Sequence, residues 1–265
     1  MCYIFSYSFK CQDDIPIFEN LPRERQEAVE SLIGSVIYES FVKTGDEDYV
    51  TARLTAQKGM HRAFFWAAAQ ALEKYMKAFL LMRGKGVQKH GKHSIQNIFK
   101  EVCDIHDSFR NMSLSPHPSI KINGDLNLKN ETITANEFVL LIDKHGDSHN
   151  RYNESGVVFE PELLFILDSF ISALRPLIGV PDIVVSLKKI DQSLLNSFYL
   201  YNPYFDSRPI ELKELPNPSF NLTFSKSSTT LERLYLPTPP WFKPDCQIAI
   251  EWLEKKMKIS IKKKK

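Results

Sequence analysis

Residues 61–83 read HRAFFWAAAQALEKYMKAFLLMR, and this stretch decides the fold. Phe64, Ala68, Ala71, Tyr75, Phe79 and Met82 recur at three- and four-residue spacing, the signature of one buried helix face. Gln70, Glu73, Lys74 and Lys77 fall on the other side as a polar stripe. The apolar texture reaches back to Tyr49, so one long helix is expected from there to Arg83, where Gly84 and Gly86 stop it. After Gly91, His93 or Ser94 can start a second helix whose buried face is Ile95, Ile98, Phe99 and Val102. The two helices form an antiparallel hairpin.

Working outward, Pro22 and the acidic Glu24, Glu27 and Glu30 predict a helix over 23–42, because acidic side chains suit the positive N-terminal end. Val29, Leu32, Ile33, Val36, Ile37 and Phe41 would be its apolar face. Downstream, Pro116, Pro118 and the turn at Asn123-Gly124 mark a loop insertion near 110–135, with short strands at 120–122 and 132–134. A short helix over 137–144 carries Phe138, Leu141 and Ile142. Pro161 suits a first helical turn and Pro176 a last one, which frames a helix over 160–175 with Leu163, Leu167, Phe170 and Leu174 inward.

Beyond Val180 the texture changes. Residues 191–200 read as a helix, but prolines from Pro203 to Pro244 make the following stretch extended. Phe220, Phe224, Tyr235 and Trp241 keep it from reading as disorder, since each large aromatic withheld from water contributes about 2 kcal/mol. An amphipathic helix over 246–258 and a lysine tail end the chain. The expected fold is mainly α: an antiparallel helical bundle with a loop-rich, partly extended C-terminal arm and a terminal helix. Its parts are an N-terminal arm and helix at 1–45, the bundle at 46–179 and the extension at 180–265.

A chain of 265 residues can bury a substantial core. A net charge of +2 gives no argument for nucleic acid, so local clusters matter more: Lys85, Lys89, His90, Lys92 and His93 at the hairpin tip, and the C-terminal lysines. Cys2, Cys11, Cys103 and Cys246 have no metal-ligand spacing and read as reduced thiols. The N-terminal segment does not read as a signal peptide, and no stretch approaches a membrane span, so a cytoplasmic protein is expected. Phosphate-binding glycine loops, dinucleotide fingerprints and nucleophile elbows are missing, which disfavours the common cofactor enzymes; no cofactor is expected.

Tyr49 ahead of Ala52 and Arg53, then QALEKYMKA over 70–78, Leu80-Leu81, Gly84 and the GKHSI turn over 91–95 resemble the HEPN family of small helical domains. The resemblance spans roughly residues 46–178 and is strongest over 49–100. It implies a helical bundle that commonly dimerises and works in RNA- or nucleotide-linked processes, including toxin and defence systems. The family includes metal-independent ribonucleases as well as members without catalytic residues, so the resemblance fixes no single activity.

Catalytic members of that family carry an arginine and a histidine with four to six residues between them, near the start of the last core helix. Arg110 and His117, in RNMSLSPH over 110–117, match that spacing. In such a pair the guanidinium would stabilise phosphoryl oxygens and the imidazole would move the proton of the attacking hydroxyl. Against it, Pro116 and Pro118 flank the histidine and prevent both side chains from projecting from one continuous helix. Lys74, Lys77, Arg83, Lys85 and Arg151 are the candidate anion or RNA contacts, with Glu73 and Lys77 also spaced as a simple surface ion pair. His145 and His149 flank Asp147, but the surrounding Gly, Ser and Asn read first as an exposed loop, and no metal is expected there. Three readings follow: a homodimeric nucleic-acid- or nucleotide-associated binding module with catalysis absent or eroded, a metal-independent ribonuclease using Arg110 and His117, or an adaptor whose aromatic C-terminal arm engages a protein partner.

Overall fold

Helix α1 (Arg23–Ile37) begins just after Pro22 and carries Glu24 in its first turn. The computed structural model describes residues 20, 22–87, 94–120, 132–147, 150, 156–187, 190–205 and 227–228. The expected arm before residue 20, most of the C-terminal extension with its terminal helix, and the basic tip from Lys89 to His93 lie outside the described residues. Among those described the fold is mainly α, with eight α-helices and two short antiparallel strand pairs.

From α1 the chain passes through a π-helical turn (Tyr38–Val42) directly into α2 (Lys43–Gln57). Ile33 and Ile37 pack inward as expected, but Val36 is 62% exposed. It sits about 100° round the axis from Ile37, beyond the edge of a narrow apolar stripe.

The single long helix expected from Tyr49 to Arg83 is two helices. Gly59, at φ +71°, takes the left-handed conformation that glycine adopts without steric cost, and α2 gives way to α3 (His61–Leu81). Lys74 pairs with Asp48 and Tyr75 bonds Asp46, so residues remote from the turn on both sides meet and α2 and α3 run antiparallel. The dominant hairpin is therefore α2–α3, with α4 (Ile95–Ile105) packed on α3 as an additional partner.

All six residues of the α3 apolar stripe are buried. Its polar side is enclosed too: Glu73 is buried, while Gln70, Lys74 and Lys77 are half-buried. The reason is position, since α3 touches α2, α4, α5 (Ala135–Gly146) and α6 (Glu162–Leu177). A helix packed on most of its circumference has no open polar face.

Neighbouring elements also provide caps. Ser94 precedes α4, but the donors there are met by Asp143 of α5, which accepts from Ile95 N at 3.0 Å and from Ser94 Oγ at 3.2 Å. Thr134 and Glu137 form a capping box that starts α5 two residues earlier than expected. In front of it, β1 (Ser113–Leu114) pairs antiparallel with β2 (Ile133–Thr134), within the strand expected at 132–134. Ile120 is not in a strand, and the rest of the expected 120–122 strand is outside the described residues.

Helix α6 starts after Pro161 and carries Pro176 in its last turn, matching both proline signals. Two further helices, α7 (Ile183–Leu187) and α8 (Gln192–Tyr199), pack on α2 and bury Ile183, Leu187, Phe198 and Tyr199. The hydrophobic core thus continues past residue 179. Phe205 extends it, with its ring 5.2 Å from that of Phe198. A last pair, β3 (Val158–Phe159) with β4 (Ser227–Ser228), is antiparallel.

Two buried polar clusters fasten α2 to the rest. In the first, Asp46 accepts from Arg175 Nε at 2.8 Å and Nη2 at 2.9 Å, from Tyr75 Oη at 2.6 Å, and from Ser186 Oγ. In the second, Arg53 donates to Asp168, to Ser197 O at 3.1 Å and to Leu200 O. Tyr49 Oη donates to the same Asp168 at 2.6 Å and accepts from Asn202 Nδ2 at 3.0 Å. Burial, then the adjacent carboxylate, pushes both phenols well above their ordinary range, so each remains a donor. Burial alone would lower the Arg53 pKa, but Asp168 holds it above the usual value. Tyr49 and Arg53, which contribute to the family resemblance, are fully buried, and their bonds join α2 to α6 and to the end of α8.

Candidate functional site

The basic candidates of α3 are already engaged. Lys74 Nζ pairs with Asp48, and Lys77 Nζ with Glu73, so the expected i, i+4 pair is present although Glu73 lies buried rather than at the surface. Arg83 donates to Phe79 O at 3.1 Å and Leu177 O at 2.8 Å, with its guanidinium carbon 3.6 Å from the centre of the Phe79 ring. It thereby meets carbonyls near the C-terminal ends of α3 and α6, where a cation is favoured. Lys85 is exposed, and Arg151 lies outside the described residues.

Arg110 follows a 3₁₀ turn (Asp107–Phe109) and faces two carboxylates, Asp107 and Asp104, each at 3.1 Å. Bonds to Asp107 and then Asp104 raise its pKa. His117 is half-buried in the next loop; its Nδ1 lies 2.8 Å from Ser119 Oγ, and its ring stands edge-on to Tyr204 at 5.1 Å. Each of the two residues thus has its own set of local partners, and no bond joins them.

A different group of residues converges where α3 starts and α5 ends. Arg62 and Trp66 lie one turn apart on α3, with Ala63 between them; His145 closes α5, and Asp147 and Asn150 follow. Together they line a cavity of about 260 Å³. Trp66 is 41% exposed, among the few large apolar side chains of the described residues left open to solvent.

His145 is not on an exposed loop, as the sequence suggested, but 95% shielded at the end of α5. The cause is Gly146: a Cβ there would stand 2.6 Å from both Phe65 O and Ala69 Cβ, so only glycine lets α5 press this closely on α3. That approach places the His145 ring 4.9 Å from the Phe65 ring. A signal for this was present, because Phe138, Ile142 and His145 continue the helical period of α5. Asn150 fixes the opposite wall, donating to His145 O and to Gly156 O, each at 3.3 Å.

His145 Nδ1 is buried with no hydrogen-bond partner. Whether it carries the proton or the lone pair, Nδ1 is an unmatched polar atom enclosed by the protein. Leaving such a group unsatisfied costs on the order of 1–3 kcal/mol. Burial, then the Lys144 charge, depresses the pKa from 6.5 to about 4, against the Gly156 carbonyl, which would raise it.

The folded pKa of His145 lies below the unfolded one, so as pH falls the unfolded chain takes up the proton first. Its contribution to stability is complete above pH 6.5 and is lost on the way down to about pH 4, at about 1.4 kcal/mol per pH unit. Urea unfolding at about pH 7 and pH 4.5 should therefore show the wild type losing about 2 kcal/mol more than His145→Phe. Equal losses would show that the imidazole is charged within the fold.

No family model, no curated protein and no solved structure matches this chain. Among the described residues, no group of three His, Cys, Asp or Glu could hold a metal ion, and no helix is long and apolar enough to cross a membrane. Cys103 is a free, buried thiol, and burial raises its pKa.

Proposed function

We propose that this chain is a HEPN-like helical protein of the cytoplasm that binds nucleic acid or a nucleotide as a homodimeric scaffold module and does not cleave RNA. The observation that carries the reading is the cavity between α3 and α5, where an accessible indole and a guanidinium stand one turn apart on α3. Aromatic faces stack on bases of any sequence, and arginine supplies the anion contact. The surroundings of Arg110 support the absence of cleavage, because Asp104 and Asp107 compete with any phosphoryl oxygen for its donors.

The test uses mixed RNA with EDTA present, incubated with wild type, Arg110→Ala and His117→Ala, and the same proteins in anisotropy titrations against a short labelled RNA and a labelled nucleotide. The expected result is saturable binding by all three without cleavage. Cleavage by the wild type that is lost in both variants would replace this reading with the metal-independent ribonuclease.

A further inference from the structure

We propose that residues 200–205 form a strap that opens while the helical bundle stays folded, uncovering the Arg53–Asp168 pair and the ring of His117. Such a device is independent of the ligand proposed above.

The strap begins where α8 ends. Phe198 and Tyr199 are buried and anchor that helix on α2, but in the segment that follows only Asn202 is buried, while Leu200, Tyr201, Pro203, Tyr204 and Phe205 are half-buried. A segment that withdraws so little apolar surface from water is held shut weakly.

Two features raise the cost of the closed form. Tyr201, at φ +61°, is the only non-glycine residue among those described in the left-handed region, which a bulky L side chain rarely adopts. Asn202 is 3% exposed; its Nδ2 donates to Tyr49 Oη at 3.0 Å, while its Oδ1 is buried with no hydrogen-bond partner. Opening relaxes the first and hydrates the second, so both favour the open form.

The contacts that close the strap are few and specific. Arg53 donates to Leu200 O, the Phe205 ring lies 5.2 Å from that of Phe198 and 6.2 Å from that of Tyr49, and Tyr204 stands edge-on to His117 at 5.1 Å. Its backbone bonds turn back on the adjacent chain, from Asn202 N to Tyr199 O and from Phe205 N to Asn202 O, each at 3.3 Å. Neither runs to α2 or α6, so breaking both leaves the helices of the bundle intact. When the strap lifts about Tyr201, Arg53 keeps Asp168 and Ser197 O but loses Leu200 O, Tyr49 loses Asn202, and His117 loses its Tyr204 cover. Groups sealed in the core thereby become accessible without unfolding.

Native-state hydrogen exchange in low urea, read at single amides by NMR on the full-length chain, tests this. The amides of Asn202 and Phe205 should be protected, yet at least about tenfold less than those of Ala71 and Leu72 in α3, and their exchange should hardly depend on urea, whereas the α3 amides follow the steep slope of global unfolding. Ile98→Ala empties a fully buried position on α4, which packs on α3 and α5; it should speed the α3 amides more than about tenfold and leave Asn202 and Phe205 unchanged. Phe205→Ala removes the aromatic anchor and should speed exchange at Asn202 about tenfold.

Equal urea slopes at the strap and α3 amides, or equal acceleration of both by Ile98→Ala, would show that the segment opens only with the whole fold and would overturn the proposal. Unprotected Asn202 and Phe205 amides in the wild type, or Asn202 exchange unchanged by Phe205→Ala, would also overturn it, since these contacts would then not close the strap. The wild-type urea series needs no substitution, so it decides the matter even where a variant fails to fold.

Discussion

Replacing Asp46 by alanine should lower the unfolding free energy by about 3–5 kcal/mol, read from urea denaturation near neutral pH. Asp46 is fully buried, and its two oxygens receive Arg175 through two nitrogens, the Tyr75 hydroxyl and the Ser186 hydroxyl. Arg175 is itself buried; desolvation lowers its pKa, but the bonds to Asp46 more than compensate and hold it above the ordinary range. Without the carboxylate, a guanidinium remains in the core with only the Pro181 carbonyl, 2.8 Å away, among its former acceptors. An uncompensated buried charge is the costly half of a broken pair, whereas exposed pairs such as Arg23 with Glu27 contribute well under about 1 kcal/mol. Asp46→Asn keeps the shape and should recover part of the loss. A change below about 1 kcal/mol in the alanine variant would mean that Arg175 reaches water at no structural cost.

The second large effect is expected at Phe170, where alanine should cost about 3–5 kcal/mol and leucine no more than about 1.5 kcal/mol. Phe170 is fully buried on α6, and its ring lies 5.9 Å from Phe99, 5.9 Å from Phe109 and 6.1 Å from Phe138. Those partners come from α4, the 3₁₀ turn just behind it and α5, so one side chain ties α6 to three other segments. Truncation leaves a void that these rings cannot fill together, while leucine retains most of the volume. Equal losses from the two substitutions, measured by denaturation at the same pH, would show that the cluster collapses freely and that Phe170 is not its keystone.

Much of the architecture was legible because it depends on local periodicity. The α3 stripe from Phe64 to Met82, the proline-framed α6 and the helix after Asp191 are short-range patterns, and each stands where the spacing placed it. The break at Gly59 was missed because the apolar period runs on through it; a glycine within a helical pattern is ambiguous until its φ is known. The candidate site was less legible. Arg110 and His117 were selected by spacing along the chain, which says nothing of Asp104, Asp107 or Ser119 taking up their polar groups. His145 was dismissed because its following neighbours are loop-like, although its own phase in α5 pointed inward.

The sequence by itself determined most of the helices and most of their inward faces, since those follow from side-chain spacing, prolines and capping residues within a few positions. Only the tertiary structure decided what the polar residues of those helices do. Asp46 and Arg175, or Arg53 and Asp168, are more than a hundred residues apart and become partners only because the packing of α2 against α6 removes them from water together. Likewise, the Trp66 and His145 cavity exists because Gly146 permits one helix end to approach another, a condition of three-dimensional contact that no local period encodes.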